Sequence, residues 1–446
     1  MKKLMALLLV LVMVISMVAC TSKETAAPDT ANEAPTDVTT ESTPDAAAET
    51  PAAAENVEGT VTICMESAKK SWMEPFAEAF MEKYPNIKVE VLWDKDESTL
   101  IAANQAPDIL KSGDIHVSGS KNLLLDLTPY LERDAEEVNP DDFFPATLEG
   151  LKVDGKQLAM PTSFNVSLLY YNVDLFDEAG LAYPTNDWAQ ADFVSAGQAL
   201  TVQEDGKFVQ WGCATELGWW GEWLIHVRQA GGDWMSEDGT TCVLDSDEAI
   251  KGLEFFYNKT NGGSLGFAPG IADDALGGFA AGKVAMNYGG HTGNWASYNA
   301  VEGLNWDIAE LPEGSVQKAG AEFAIEGYAI SKDTKNAEAA WTFLKYFTGY
   351  EGAKLMSELG YPCCRQSVAD ELLAVPVEER GCPKNLEALY SAIDDAMTLP
   401  RNPEFTNCTQ TIVQPIIDLM LEGQLTPAEA AKEAAAQAND YLALNG

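Results

Sequence analysis

The chain is short of positive charge. Its 446 residues carry 28 Lys and Arg against 69 Asp and Glu, a formal net charge of −41. So acidic a surface repels phosphate backbones and anionic headgroups, which excludes nucleic acid as a partner. Histidine is scarce as well: only His116, His226 and His291 occur. There is no HExxH zinc motif and no phosphate-cradling P-loop. The cysteines show no CxxC spacing, so a thiolate metal site has little support, and no cofactor is expected. Long apolar runs are missing too. Leu4 to Val18, broken only by Ser16, falls short of the about 20 residues a membrane-spanning helix needs.

That run instead has the layout of a signal peptide, with Lys2 and Lys3 before it and Val18-Ala19-Cys20 closing it. A signal peptide that ends on Cys resembles the lipobox of bacterial lipoproteins, in which that Cys carries the lipid; Met17 stands where Leu is usual. The expectation is a protein tethered through Cys20 to the outer face of the cell membrane. Residues 21 to 58 fit a spacer. They are rich in Ala, Thr, Glu and Pro, hold nine acids against Lys23, and have almost no large apolar side chains. Such a segment cannot bury enough surface to offset its conformational entropy, and as a coil it spans about 35 Å.

Residues 59 to 446 are long enough for two or three domains. Thr60 to Cys64 reads as a buried strand. Trp72, Phe76 and Phe80 then mark one face of a helix that Pro85-Asn86 stops, and Lys88 to Trp93 alternates as a second strand. Strand, helix and strand at this spacing predict a βαβ unit with parallel strands. Farther on, Ala340, Trp341, Leu344 and Phe347 share a helix face, and Ala249 to Asn258 reads as a helix. Thr348 with Glu351, and Thr426 with Glu429, have capping-box spacing. The mixture gives an α/β class. Ligands of open α/β sheets bind beyond the carboxyl ends of strands, which makes Met65-Glu66-Ser67 a predicted part of a site. Gly262-Gly263-Ser264-Leu265-Gly266 matches GxSxG, but a helix rather than a strand precedes it, so it reads as a turn and not a nucleophile elbow. Seven cysteines follow Cys20, an odd number. Cys213 with Cys242, and Cys363 or Cys364 with Cys382 or Cys408, are possible disulfide pairs.

A series of blocks carries a family likeness. Phe76 to Val91 (FAEAFMEKYPNIKVEV), Ala106 to Ile109 (APDI), Leu124 to Leu131 (LLDLTPYL) and Asp154 to Pro161 (DGKQLAMP) come first. Leu169 to Leu181, Trp188 to Thr201, Phe279 to Met286 (FAAGKVAM), Trp306 to Pro312 and Gly327 to Phe347 follow. In this order they resemble the family-1 extracellular solute-binding proteins of ABC importers. The resemblance implies a two-lobed, periplasmic-binding-protein-like α/β fold (type II) with a ligand cleft between the lobes. The first lobe would hold residues 59–163 and 311–358, the second 164–310 and 362–446. The resemblance further implies hinge closure on a small-molecule solute, a monomeric receptor, docking on a membrane permease, and no enzyme activity.

A sugar site needs flat aromatic faces and a polar rim. Trp219, Trp220 and Trp223, preceded by Glu216, are the densest aromatic group, and at least one is expected to face the ligand. Trp295 follows Gly289-Gly290, where a backbone could approach a ligand closely. The likeness adds Glu66, Asp114, Thr162, Asn165 and Arg365, the last beside an unusual Cys363-Cys364. The expected ligand is a sugar or oligosaccharide. Two other readings stand beside it. Trp and carboxylates also form cation sites, which suits a polyamine receptor. An anchored carbohydrate-degrading enzyme would need two carboxylates facing each other across a cleft.

Overall fold

The computed structural model describes residues 56–113, 115–215, 218–270, 276–318, 320–400 and 402–445. The Cys20 anchor, the spacer up to residue 55, Asp114 and Glu216 lie outside the described residues.

The chain opens with β1 (Gly59–Met65), in which Val61, Ile63, Cys64 and Met65 are all buried. Burial on both faces is what a strand inside a parallel sheet requires. Helix α1 (Lys70–Lys83) lays Met73, Phe76, Ala77 and Phe80 on the sheet, and β2 (Ile87–Trp93) returns parallel to β1, with Gly59 opposite Ile87 and Met65 opposite Trp93. The predicted βαβ unit is therefore formed. β3 (Ile109–Lys111) joins the other edge of β1, also parallel. Asp108, from the APDI block, locks this arrangement. Its carboxylate accepts from the Thr62 amide at 2.9 Å, the Thr62 hydroxyl at 2.7 Å and the Thr334 hydroxyl at 2.5 Å.

The chain then leaves through β4 (Met160–Val166) into β5 (Leu168–Asn172). The helices α2 (Trp220–Gln229) and α3 (Asp247–Lys259) follow, then β6 (Met286–Gly290), the short α4 (Trp295–Asn299) and β7 (Trp306–Ala309). β6, β5 and β7 form a second, antiparallel sheet with β5 in the middle. The ten-residue β8 (Ala321–Ile330) carries the chain back. Its far end pairs with β3 (Tyr328 to Ile330), and Phe323 to Tyr328 pair with β4. β4 and β8 thus connect the two sheets. Helices α5 (Ala337–Phe347) and α6 (Tyr350–Glu358) return to the first sheet, and β9 (Ala396–Met397) pairs with the start of β8. The long α7 (Gln414–Leu421) and α8 (Pro427–Asn445) then pack on α2 and α3, closing a separate core around Trp223, Leu253, Ile417 and Ala434.

Local signals were borne out unevenly. At Thr426 the capping box forms: the Glu429 amide donates to the Thr426 hydroxyl at 3.3 Å, and the Glu429 carboxylate accepts from the Thr426 amide at 2.9 Å. At Thr348 it does not. That hydroxyl donates instead to the Leu344 carbonyl at 2.9 Å, Gly349 caps α6, and Glu351 pairs with Lys83. The preceding helix captures the threonine before the next can use it. The Gly262–Gly266 run follows α3 as a turn, with the Leu265 amide donating to the Asn258 carbonyl at 2.8 Å. Cys64, Cys242, Cys363, Cys364, Cys382 and Cys408 are free thiols, so neither anticipated disulfide is formed.

Candidate functional site

The first half of the site hangs on the carboxyl ends of the parallel strands. Glu66 follows β1, and its carboxylate is held by Lys111, the last residue of β3, at 2.5 Å and by Lys69 at 2.9 Å. These two ammonium groups lower its pKa to about 2, Lys111 contributing most. Glu97 accepts from the Lys111 amide at 3.3 Å, and burial raises its pKa. Trp93 ends β2 with the Lys70 ammonium 5.2 Å from its ring centre. All three parallel strands therefore end in polar or aromatic groups, as strand-end geometry leads one to expect.

The floor is the polar face of the crossing strands. Along β8, Glu322, Ala324 and Glu326 share one face, while Phe323 and Ile325 share the other. Ala324 stands opposite Asn165 and Glu326 opposite Ser163, so Asn165 lies on the same face as the carboxylates. The apolar face packs inward, with Phe164 and Phe323 rings 5.5 Å apart. Tyr328 ties floor to first half. Burial raises its hydroxyl pKa, and the nearby charges of Glu326, Glu66 and Glu97 raise it further.

The second half comes from the turn after β6. The Thr292 hydroxyl donates to the Asn165 side chain, and His291 Nε2 lies 2.8 Å from the Glu322 carboxylate. The Trp219 ring meets His291 edge to face, with centres 4.9 Å apart. Trp219 is the residue before α2 and has extended backbone; its ring also lies against that of Trp220, with centres 5.8 Å apart. Gly221 makes room for it: a Cβ there would lie 2.1 Å from the Trp219 ring. On the helix that Trp219 precedes, Glu222 of α2 forms a fully buried ion pair with Lys259 of α3, and Lys259 also donates to the Ala214 carbonyl at 3.0 Å. His226 lies alongside, and burial pushes its imidazole well below the ordinary value.

Of the expected residues, Asn165 and Trp219 meet the His291–Thr292 turn and Glu66 stands at the end of β1 beside Lys111. The structure assigns other expected residues to packing. The Thr162 hydroxyl donates to the Glu326 carbonyl at 3.2 Å, pinning the crossing strands together. Trp220 packs against Phe405, and Trp223 is fully buried with its indole N–H on Gln414 at 3.0 Å. Arg365 is buried over the Phe143 ring and spends its guanidinium on Asp142 and the Thr348 and Val138 carbonyls. Trp295 is largely buried, its N–H donating to the Tyr170 hydroxyl at 2.7 Å. The glycines before it serve the fold. Gly289 has φ of +86° at a bulge in β6, and a Cβ on Gly290 would strike the Tyr170 ring at 2.7 Å. Missed in the sequence were Lys111, His291, Thr292 and Glu322. The alternation of Glu322 and Glu326 with Phe323 and Ile325 was the available signal for the last.

A cavity of about 470 Å³ lies on the other face of β8, beside Phe323, Glu149, Met235 and Met397. Its one buried cation, Arg228, is committed to Asp233 and to the Met397 and Thr398 carbonyls. It is lined from the apolar side of β8, so the polar face described above is the better candidate.

Comparison with known proteins agrees with this architecture. The family described as bacterial extracellular solute-binding protein matches residues 65–354. The chain belongs to this family. This solute-binding protein is 25% identical over 395 residues to the arabinooligosaccharide-binding protein of Bacillus subtilis, covering 80% of this chain and 86% of the relative. It is 28% identical to the arabinooligosaccharide-binding protein of Halalkalibacterium halodurans, covering 68% and 69%. Among solved structures, an ABC substrate-binding protein of Listeria monocytogenes in complex with cycloalternan superposes with a TM-score of 0.73 at 25% identity, over 86% of this chain and 99% of that one. The sugar-binding protein MalE of Xanthomonas citri gives the same TM-score at 19% identity, over 86% and 98%. The solute-binding protein accordingly has their two-lobed α/β fold with a cleft between the lobes.

Proposed function

We propose that the protein is the receptor of an ABC importer and binds a sugar or oligosaccharide between its lobes. The observation that carries this reading is the cluster at the crossing strands, where the Trp219 ring meets His291, His291 faces the Glu322 carboxylate and Thr292 bonds Asn165; Glu66, at the end of β1, would complete the polar rim. Sugar rings offer C–H faces to aromatics, and carboxylates accept from paired hydroxyls. The names of the relatives support the same class. Glu66 is already neutralised by two lysines and Glu322 faces His291, which favours a neutral ligand over a polyamine. The lobes, residues 59–163 with 311–358 and 164–310 with 362–446, would close about β4 and β8 and present the closed form to a permease. Cys20 would hold the monomeric receptor at the outer face of the membrane, with residues 21–58 as its tether. A thermal-shift screen of neutral saccharides and polyamines tests the ligand class, because a ligand of the folded state raises its stability by mass action. Stabilisation by saccharides alone is expected; stabilisation by polyamines alone, lost in high salt, would reverse the assignment.

A further inference from the structure

Two cysteines expected to pair elsewhere stand together in the core closed by α2, α3, α7 and α8. Cys242 and Cys408 both belong to it, and no other described cysteine does. Cys213, Cys363 and Cys364 are in the main core instead. The segments that carry the two thiols are fastened to each other. Met235 bridges to Cys242 across a tight turn, and the Val243 amide donates to the Trp234 carbonyl at 2.9 Å. The Trp234 ring meets Phe405 edge to face, with centres 5.3 Å apart, and Phe405 opens the short helix that ends at Cys408. At the tip of the turn, the Asn402 side chain donates to the Gly239 carbonyl at 2.7 Å. Helix α8 holds both segments as well. Its Asn439 side chain accepts from the Cys242 amide at 2.8 Å and donates to the Cys242 carbonyl at 3.0 Å. Farther along, the Tyr441 hydroxyl donates to Glu404 at 2.7 Å and accepts from Asn407, the neighbour of Cys408.

Both side chains are buried thiols in this structure. Burial pushes the Cys242 thiol up to about 12, and the Cys408 sulfur adds to the rise, so charge on one is felt at the other. Burial likewise lifts Cys408 to about 11. Thiolates, not thiols, attack disulfides. The closed core therefore keeps the pair inert, and a bond between the two sulfurs has to form while the core is still closing. The family is extracellular, and outside the membrane disulfides persist.

We propose that Cys242 and Cys408 are an oxidation site, joined in a disulfide as the chain folds outside the cell. Each sulfur gives up a proton and the two sulfurs bond. The two electrons pass to a thiol oxidant in its disulfide form, whose S–S bond breaks to two thiols. The new bond closes a long loop that contains β6, β7 and β8. Closing a long loop constrains the unfolded chain, so the oxidised protein should be the more stable. The test refolds the full chain from urea, once in oxidised and reduced glutathione and once in reductant alone. Thiols are then blocked with iodoacetamide, and peptides are mapped by mass spectrometry without reduction. A Cys242–Cys408 cross-linked peptide is expected after oxidative refolding only, together with a higher urea midpoint. C242A and C408A should each show the same midpoint after both refoldings. The folded, reduced chain should form the bond at least about tenfold more slowly than the refolding chain. Cys242 and Cys408 both blocked after oxidative refolding, or each joined to a different cysteine, overturns the site. That mapping uses the unsubstituted chain, so it decides even where a variant fails to fold. Equal rates in the folded and refolding chains overturn the shielding of the thiols by the core.

Discussion

The two parts of the candidate site are supported in opposite ways. In the first lobe, Glu66 stands on strand ends in half-exposed ion pairs with Lys69 and Lys111. In the second, Trp219 leads into α2, whose Glu222 pairs with Lys259 with no exposure at all. Exposed pairs contribute little to stability, because water screens them and mobile side chains must be ordered. A buried pair is different. Both charges have been taken out of water, so each depends on the other. One half can therefore be retuned by substitution at little cost to the fold, and the other cannot.

The sharpest way to break this contrast is at Lys259. Lys259→Met takes the ammonium away from the buried Glu222 carboxylate and should cost about 3–5 kcal/mol in denaturant unfolding, whereas the double variant E222L/K259M should recover most of that loss. A single variant as stable as the parent would contradict the role given to the pair. Trp223→Ala comes next: emptying a fully buried site should cost about 3–5 kcal/mol, and saccharide affinity should stay unchanged at temperatures where the protein is folded. Trp219→Ala should do the reverse. It should weaken saccharide binding by roughly tenfold or more, on the order of an aromatic contact, with a much smaller stability change. Gly221→Ala, which forces the Trp219 ring aside, should mimic that binding loss. If W219A and W223A exchanged these phenotypes in calorimetry and unfolding, the assignment of the two rings would be reversed.

The smallest effect is expected at Glu66. Its folded pKa is lowered from 4.5 to about 2, so its ion pairs stabilise the fold above pH about 4.5 and lose that contribution as pH falls towards 2. Because the carboxylate is half exposed, the loss should be below about 1 kcal/mol. Thermal unfolding followed between pH 6 and 2.5 should show E66Q lacking this small part of the acid slope. An E66Q curve steeper than that of the parent would contradict the sign.

The contrast also marks how far the sequence could be read. The βαβ unit, α1, α5 and the Thr426 box follow from patterns within twenty or so residues, and they are found where those patterns put them. Glu66 was legible because strand ends are a physical address. The tryptophan group was legible as a group, but choosing among its members was not: Trp223 is occupied by Gln414 and Trp220 by Phe405, both nearly two hundred residues away. Arg365 is buried for the same reason, through Asp142 and Val138 on a distant segment. The Glu222–Lys259 pair gave no local sign, since it exists only once two helices pack. Side chains set by their own element could be placed, and those set by a remote partner could not.

The most direct test is the structure of the protein with a bound saccharide. Ligand density is expected with a sugar ring against Trp219 and hydroxyls within hydrogen-bonding reach of Glu66 and Asn165. Density instead on the far face of β8, in the cavity beside Phe323 and Arg228, would contradict the assignment.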